Sequence, residues 1–203
     1  MKDNIKKMLR SSIRKKMNAL EMEYIRSSNE QILERLRKLT VYQSAEVVFC
    51  YVSVAREINT LPILQELWQR GSKVAVPLCL NSSGIMEGKL ISSMEDLKKG
   101  YYGLLEPDIN ARTVEKRDID LAIVPCLSCD SHCSRLGQGG GYYDRFLAGH
   151  SEDQSFPAVA LCREKLLSEE IPTEKWDEKM DMVITEKTVY MRKQNSQNKG
   201  DGV

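Results

Sequence analysis

The stretch Arg135-Leu136-Gly137-Gln138-Gly139-Gly140-Gly141-Tyr142-Tyr143-Asp144-Arg145 concentrates more chemistry than any other part of the sequence. Its glycines let a backbone turn sharply and let amide N–H groups converge on an anion. A helix opening at Tyr142 adds positive potential to the same place. Arg135 and Arg145 flank the glycines as possible clamps on phosphate oxygens. Asp144 offers a carboxylate for Mg²⁺, which takes few carboxylates alongside phosphate oxygens. The standard phosphate motifs do not fit, however. No Lys-Ser/Thr follows the glycines, as a P-loop requires, and Tyr142 stands where a dinucleotide fingerprint needs its third glycine. A plain surface turn before a helix is the alternative reading of such glycines.

A second cluster is Cys126, Cys129, His132 and Cys133, four soft ligands within eight residues. Such residues can hold Zn²⁺ or an iron–sulfur centre. So tight a group is sterically awkward around one ion and has no second CxxC pair, so loop or pocket-wall thiols are the expectation. Cys50, Cys79 and Cys162 fall in or at the ends of strand-like apolar runs, where cysteine acts as a small hydrophobe. His132 and His150 are the only histidines, and neither completes a Ser-His-Asp or Cys-His arrangement.

The elements that must position these groups can be read from periodicity. Ile5, Met8, Leu9, Ile13, Met17 and Leu20 recur at helical spacing and leave a basic opposite face. Ile25, Ser28, Ile32, Leu36 and Leu39 repeat the pattern in a second helix. Residues 47–52 form a short β-branched and aromatic run, read as a buried strand. A helix follows, capped at Asn59 or Thr60 with Pro62 in its first turn and ended by Gly71. Further strands are expected at 73–77, more weakly at 85–91, then at 121–125, 157–162 and 182–185. Strand–helix alternation implies one three-layer α/β domain with a mostly parallel sheet and helices on both faces. That domain is expected over residues 1–190, with a disordered polar tail at 191–203.

Composition narrows the function. The 203 residues carry a net charge of +1, which argues against a nucleic-acid-coating or membrane-coating surface. No apolar run approaches the roughly 20 residues of a membrane span. The basic N-terminus lacks the apolar core of a secretory signal, and six cysteines without one fit a reducing cytoplasm. The near-zero total conceals an asymmetry. Residues 1–20 hold seven basic side chains and one acid, whereas residues 151–190 hold ten acids against five bases.

The run Arg-Leu-Gly-x-Gly-x-Gly-Tyr-Tyr-Asp-Arg resembles the signature of the 5-formyltetrahydrofolate cyclo-ligases, also called methenyltetrahydrofolate synthetases. Lys6-x-x-Leu9-Arg10, Glu57-Ile58-x-Thr60, the segment Gly103 to Pro107 and the acidic stretch from Ile171 to Asp181 resemble further family motifs. The resemblance implies an ATP- and Mg²⁺-dependent ligase that cyclises 5-formyltetrahydrofolate to 5,10-methenyltetrahydrofolate. In it the formyl oxygen attacks the γ-phosphate of ATP, N10 attacks the formyl carbon, and phosphate leaves. The implied roles are ATP contacts by Lys6, Arg10, Arg135, Gly137, Gly139, Gly140, Gly141, Tyr142 and Tyr143. Val52, Glu57 and Tyr142 are implied for the folate, and Asp144 with Asp181 for the metal. Arg135, Tyr142 and Asp144 are the implied catalytic group. A monomer acting on a small folate, polyglutamylated or not, with no nucleic-acid or membrane partner, completes the expectation.

Four positions depart from the family pattern. Cys126 and Cys133 stand where glycine is usual, Cys129 where an aromatic is usual, and Trp176 where histidine is frequent. If Cys133 takes a positive φ, the cost relative to glycine is about 1 kcal/mol. Two other readings are a sugar-phosphate isomerase or CoA-transferase-type enzyme, and a folate or nucleotide binder without turnover. The basic first helix together with Arg135 and Arg145 argues against the former. Binding without product would distinguish the latter.

Overall fold

The computed structural model describes residues 2–100, 103–148 and 156–193. Its centre is an eight-stranded sheet of order β12-β11-β10-β7-β1-β2-β3-β6. Five strands are parallel: β1 (Val47–Cys50), β2 (Lys73–Cys79), β7 (Leu121–Val124), β10 (Ala158–Leu161) and β11 (Met182–Ile184). Antiparallel β3 (Met86–Ile91) and β6 (Thr113–Val114) extend one edge, and β12 (Val189–Met191) extends the other. The three-layer, mostly parallel architecture expected from the sequence is the one observed. The sequence reading ended the sheet at residue 185; β12 lies beyond it and pairs with β11. Residues 194–203 of the expected tail, and His150, lie outside the described residues.

The parallel strands are buried on both faces, and their alternation sorts residues by size. Ala75, Ala122, Ala158 and Ala160 point to one face with Phe49; Val48, Val74, Leu121, Ile123, Val159 and Leu161 point to the other. Over the first face lie α1 (Lys2–Asn18), through Ile13, and α5 (Tyr142–Leu147), whose Phe146 stacks on Phe49 at 4.3 Å. The alanines leave room for these aromatic rings. On the second face sit α2 (Met22–Arg37), α3 (Thr40–Ser44) and α4 (Leu61–Gln69), contributing Ile32, Leu36, Tyr42, Ile63, Leu64 and Leu67. Pro62 in the first turn of α4 supplies a preset φ where no N–H partner is needed.

Strand order places the site. From β1 the chain moves to β2 on one side and later to β7 on the other side of β1. The carboxyl ends of β1 and β7 therefore diverge, which is where open α/β sheets open a crevice. Two small hairpins border it: β4 (Leu97–Lys99) with β5 (Leu105–Pro107), and β8 (Ser128–Cys129) with β9 (Arg135–Leu136).

Candidate functional site

A cleft of about 1020 Å³ opens over the carboxyl ends of the parallel strands, at the upper end of the size range for small-molecule sites. Lys6, Arg10, Val52 and Glu57 reach it, as do Arg135, the loop 137–141, Tyr142, Tyr143 and Asp144. Residues separated by most of the chain thus share one wall.

The glycine loop is held from two sides. Arg10 on α1 donates its Nε–H to the Gly137 carbonyl at 2.9 Å, across 127 residues of sequence. Arg14, one turn on, donates to Gln138 Oε1 at 2.7 Å. At the other end Arg145 donates to the Gly140 carbonyl at 2.9 Å, and Tyr142 Oη–H to the Asn81 carbonyl at 2.7 Å. Gly139 (φ +107°) and Gly141 (φ +71°) need the left-handed backbone that glycine alone adopts without strain. A Cβ at Gly137 would come within 2.8 Å of the Arg135 guanidinium, and one at Gly139 within 3.4 Å of Arg10. The glycines are therefore where two arginines approach the backbone.

Arg135 is the centre of the wall. It is 9% exposed, its Nη2 bonds Asp144 Oδ1 at 2.9 Å, and its Nη1 reaches the Pro125 carbonyl at 3.2 Å. The guanidinium lies 5.5 Å from the Tyr143 ring, and its buried Nε–H has no hydrogen-bond acceptor. A buried donor left without an acceptor costs free energy, so this one is suited to an incoming anion. The two adjacent tyrosines turn differently: the Tyr143 ring packs edge-on to Phe49 at 6.4 Å, while Tyr142 faces the cleft rim. Burial pushes the Tyr143 phenol well above its ordinary range.

Also lining the cleft, Lys6 is 6% exposed and pairs with Asp177 Oδ2 at 2.5 Å and Glu174 Oε2 at 3.3 Å. This joins α1 to the acidic segment near the C-terminus. Asp144, Glu174 and Asp177 put hard oxygen donors beside the cationic wall, and such donors suit Mg²⁺. Asp181 is not among them. Its carboxylate accepts the Ala158 N–H at 2.8 Å and its own N–H bonds the Ala158 carbonyl, locking β11 to β10. The resemblance implied Asp181 as the second metal carboxylate; of the two acids, Asp177 lines the cleft and Asp181 does not.

On the β1 side, Glu57 accepts the Val54 N–H at 3.0 Å in a turn where Ala55 takes φ +45°. Burial raises the Glu57 carboxyl above its usual range, and the Val54 N–H opposes the shift. Val52 lines the cleft beside it.

The loop between β7 and β9 is organised by Asp130, which is 1% exposed. Its oxygens accept the N–H groups of His132 and Ser134 at 2.9 Å each and that of Ile171 at 3.0 Å. Cys133 has φ +63°, the left-handed conformation in which it costs more than the glycine usual there. The sequence cluster of four soft ligands divides here. Cys133 Sγ turns to the Tyr190 carbonyl and His132 is exposed, whereas Cys126 and Cys129 gather with Cys162 from beyond β10. Thiol donation from Cys129 and Cys162, aided by Arg135 and Arg163, pulls the Cys126 thiol well below its ordinary range, while burial holds Cys129 up. Sequence spacing gave no sign of Cys162 in this group.

The family model described as "5-formyltetrahydrofolate cyclo-ligase family" matches residues 2–186. A Saccharomyces cerevisiae protein named 5-formyltetrahydrofolate cyclo-ligase is 31% identical over 201 residues, spanning 88% of this chain and 94% of its own length. An Escherichia coli K12 protein of the same name is 28% identical over 180 residues, spanning 88% and 98%. Among solved structures, Aquifex aeolicus 5,10-methenyltetrahydrofolate synthetase superposes with TM-score 0.79 at 26% identity, covering 94% of each chain.

Proposed function

The chain belongs to the 5-formyltetrahydrofolate cyclo-ligase family, and we propose from that premise how its own residues carry out the reaction. The overall change is 5-formyltetrahydrofolate and ATP to 5,10-methenyltetrahydrofolate, ADP and phosphate. The observation that carries the reading is the convergence of Lys6, Arg10, Arg135 and the loop 137–141 on one cleft that also holds Glu57, Asp144, Glu174 and Asp177.

The residues present fit a triphosphate. The Arg135 Nε–H is a buried donor without an acceptor, and the glycines let the guanidiniums of Arg135, Arg10 and Arg145 lie close against the loop backbone. Arg135, Arg10 and the loop amides hold the phosphate chain, with Tyr142 and Tyr143 closing the loop's far side. Lys6 exchanges part of its contact with Glu174 and Asp177 for phosphate oxygen. Asp144, with Asp177 in the place first assigned to Asp181, would hold Mg²⁺, which would neutralise charge on the transferring phosphoryl group. Glu57, in its turn beyond β1, orients the pterin by hydrogen bonding while Val52 packs against it.

With these groups fixed, the formyl oxygen is positioned in line with the γ-phosphorus. A bond forms between them as the bond to ADP breaks. N10 then attacks the activated formyl carbon, loses its proton, and the carbon–oxygen bond breaks with phosphate as leaving group. The protein supplies positioning and charge neutralisation, and no side-chain nucleophile is required. Arg135 is central because its guanidinium is locked by Asp144 and the Pro125 carbonyl and moves little as charge shifts.

No helix among the described residues is long and apolar enough to cross a membrane. We propose that the protein acts as a monomer in the cytoplasm on a diffusing folate, with or without a polyglutamate tail.

The route of the oxygen tests the mechanism. Substrate labelled with ¹⁸O in the formyl group should deliver its label to inorganic phosphate. Label released into water instead would rule out attack by the formyl oxygen on ATP.

A further inference from the structure

Three of the six thiols meet at the edge of the cleft, and none of them has a part in the ligase chemistry. Cys126 follows β7, Cys129 ends β8 and Cys162 follows β10, and their sulfurs all lie within 4.8 Å of one another. Cys129 and Cys162 are fully buried, Cys126 is half-buried, and all three are free thiols. Tetrahedral zinc with bonds of about 2.3 Å places its sulfurs roughly 3.8 Å apart, so closing on an ion requires contraction of about 1 Å at most.

Charge and space favour the same occupant. Arg163 is 1% exposed, yet its four hydrogen-bond partners are uncharged: Ser28 Oγ, Asn29 Oδ1 and the carbonyls of Arg56 and Glu57. A buried guanidinium with only neutral partners favours a nearby anion. Three thiolates on a divalent cation carry a net charge of −1. Arg163 borders a cavity of about 10 Å³ together with Cys126, Cys162 and Glu57. That is room for a single water, which a three-ligand zinc site takes as its fourth ligand.

We propose that Cys126, Cys129 and Cys162 bind one Zn²⁺ as thiolates, with a water in the adjoining cavity as the fourth ligand and Arg163 balancing the charge. Each thiol releases its proton to solvent as its sulfur–metal bond forms, and no oxidation is involved. Thiolates select this soft cation over Mg²⁺. The ion would join the loop after β7, the β8–β9 hairpin and the end of β10, and so stiffen one wall of the cleft. The inference does not depend on the ligase reading.

The test uses the full chain, stripped with chelator, and Cd²⁺ as a spectroscopic probe. One equivalent should produce thiolate-to-metal charge-transfer absorbance with the amplitude of three thiolates. Zn²⁺ should displace it, and excess Mg²⁺ should not. Cys126→Ser, Cys129→Ser and Cys162→Ser should each weaken binding at least tenfold, and Cys79→Ser should leave it unchanged. The wild-type amplitude stands even if a variant fails to fold. Absence of the band at one equivalent, an amplitude of a single thiolate, or an undiminished band in folded Cys162→Ser would overturn the proposal.

Discussion

Lys6 and Asp177 stand 171 residues apart in sequence and 2.5 Å apart in space. The pair fastens the N-terminal helix to the acidic segment near the other end of the chain. It also gives the charge asymmetry of a sequence whose total is only +1 a structural counterpart: the basic helix and the acidic segment meet in direct ion pairs beside the cleft. Lys6→Ala should raise the KM for ATP at least tenfold while costing about 2 kcal/mol of stability, the scale of hydrogen bonds to a charged group. ATP titrations and denaturant unfolding would check both halves. An unchanged KM would make the pair a structural tie alone.

Asp144 and Asp181 should separate cleanly. Asp144→Asn removes the partner of Arg135 and a proposed metal ligand, so the Mg²⁺ concentration for half-maximal turnover should rise at least tenfold with the fold intact. Asp181→Ala removes the acceptor of the Ala158 N–H and should cost about 1–3 kcal/mol of stability, leaving the Mg²⁺ requirement unchanged. Magnesium titrations of both variants, with thermal unfolding, would reveal a reversed pattern.

Arg135→Lys keeps the charge and loses the fork that bonds Asp144 and the Pro125 carbonyl together. Turnover should fall by about 10²–10³, the scale of removing one preorganised donor to developing charge. Single-turnover kinetics at saturating ATP would show the loss in the chemical step and not in binding alone.

How much of this was legible in the sequence depends on length scale. The strands β1, β2, β7 and β10 announced themselves because burial on both faces demands continuous apolar runs. The hairpin pairing Ser128 with Leu136 did not, since strands of two residues have no period to read. The cleft-lining loop 137–141 with Arg135 and Arg145 was legible because glycines and arginines at fixed spacing constrain one local segment. The choice between Asp177 and Asp181 was not: the two are four residues apart in an acidic stretch with no helix to orient them. Lys6 from the other end of the chain, and Ala158 on the neighbouring strand, decide which carboxylate turns where. Cys162 was invisible as a partner of Cys126 because only the sheet order brings β7 and β10 side by side.

Glu57 makes a pH-dependent prediction. Its carboxyl is raised by burial in the folded state, so the folded protein holds that proton to higher pH than the unfolded chain. Stability from this group therefore falls as pH rises above the unfolded value of about 4.3 and through the folded one. Glu57→Gln should stabilise the protein near pH 7 and give no gain near pH 3.5, while raising the KM for the folate about tenfold. Unfolding curves at the two pH values would check the sign.

The most direct measurement is turnover itself. Purified protein supplied with 5-formyltetrahydrofolate, ATP and Mg²⁺ should develop the absorbance of 5,10-methenyltetrahydrofolate with one ADP released per product, and neither should appear when ATP is omitted. Folded protein that binds ATP and the folate yet forms no methenyl product, or forms it without consuming ATP, would contradict the assignment.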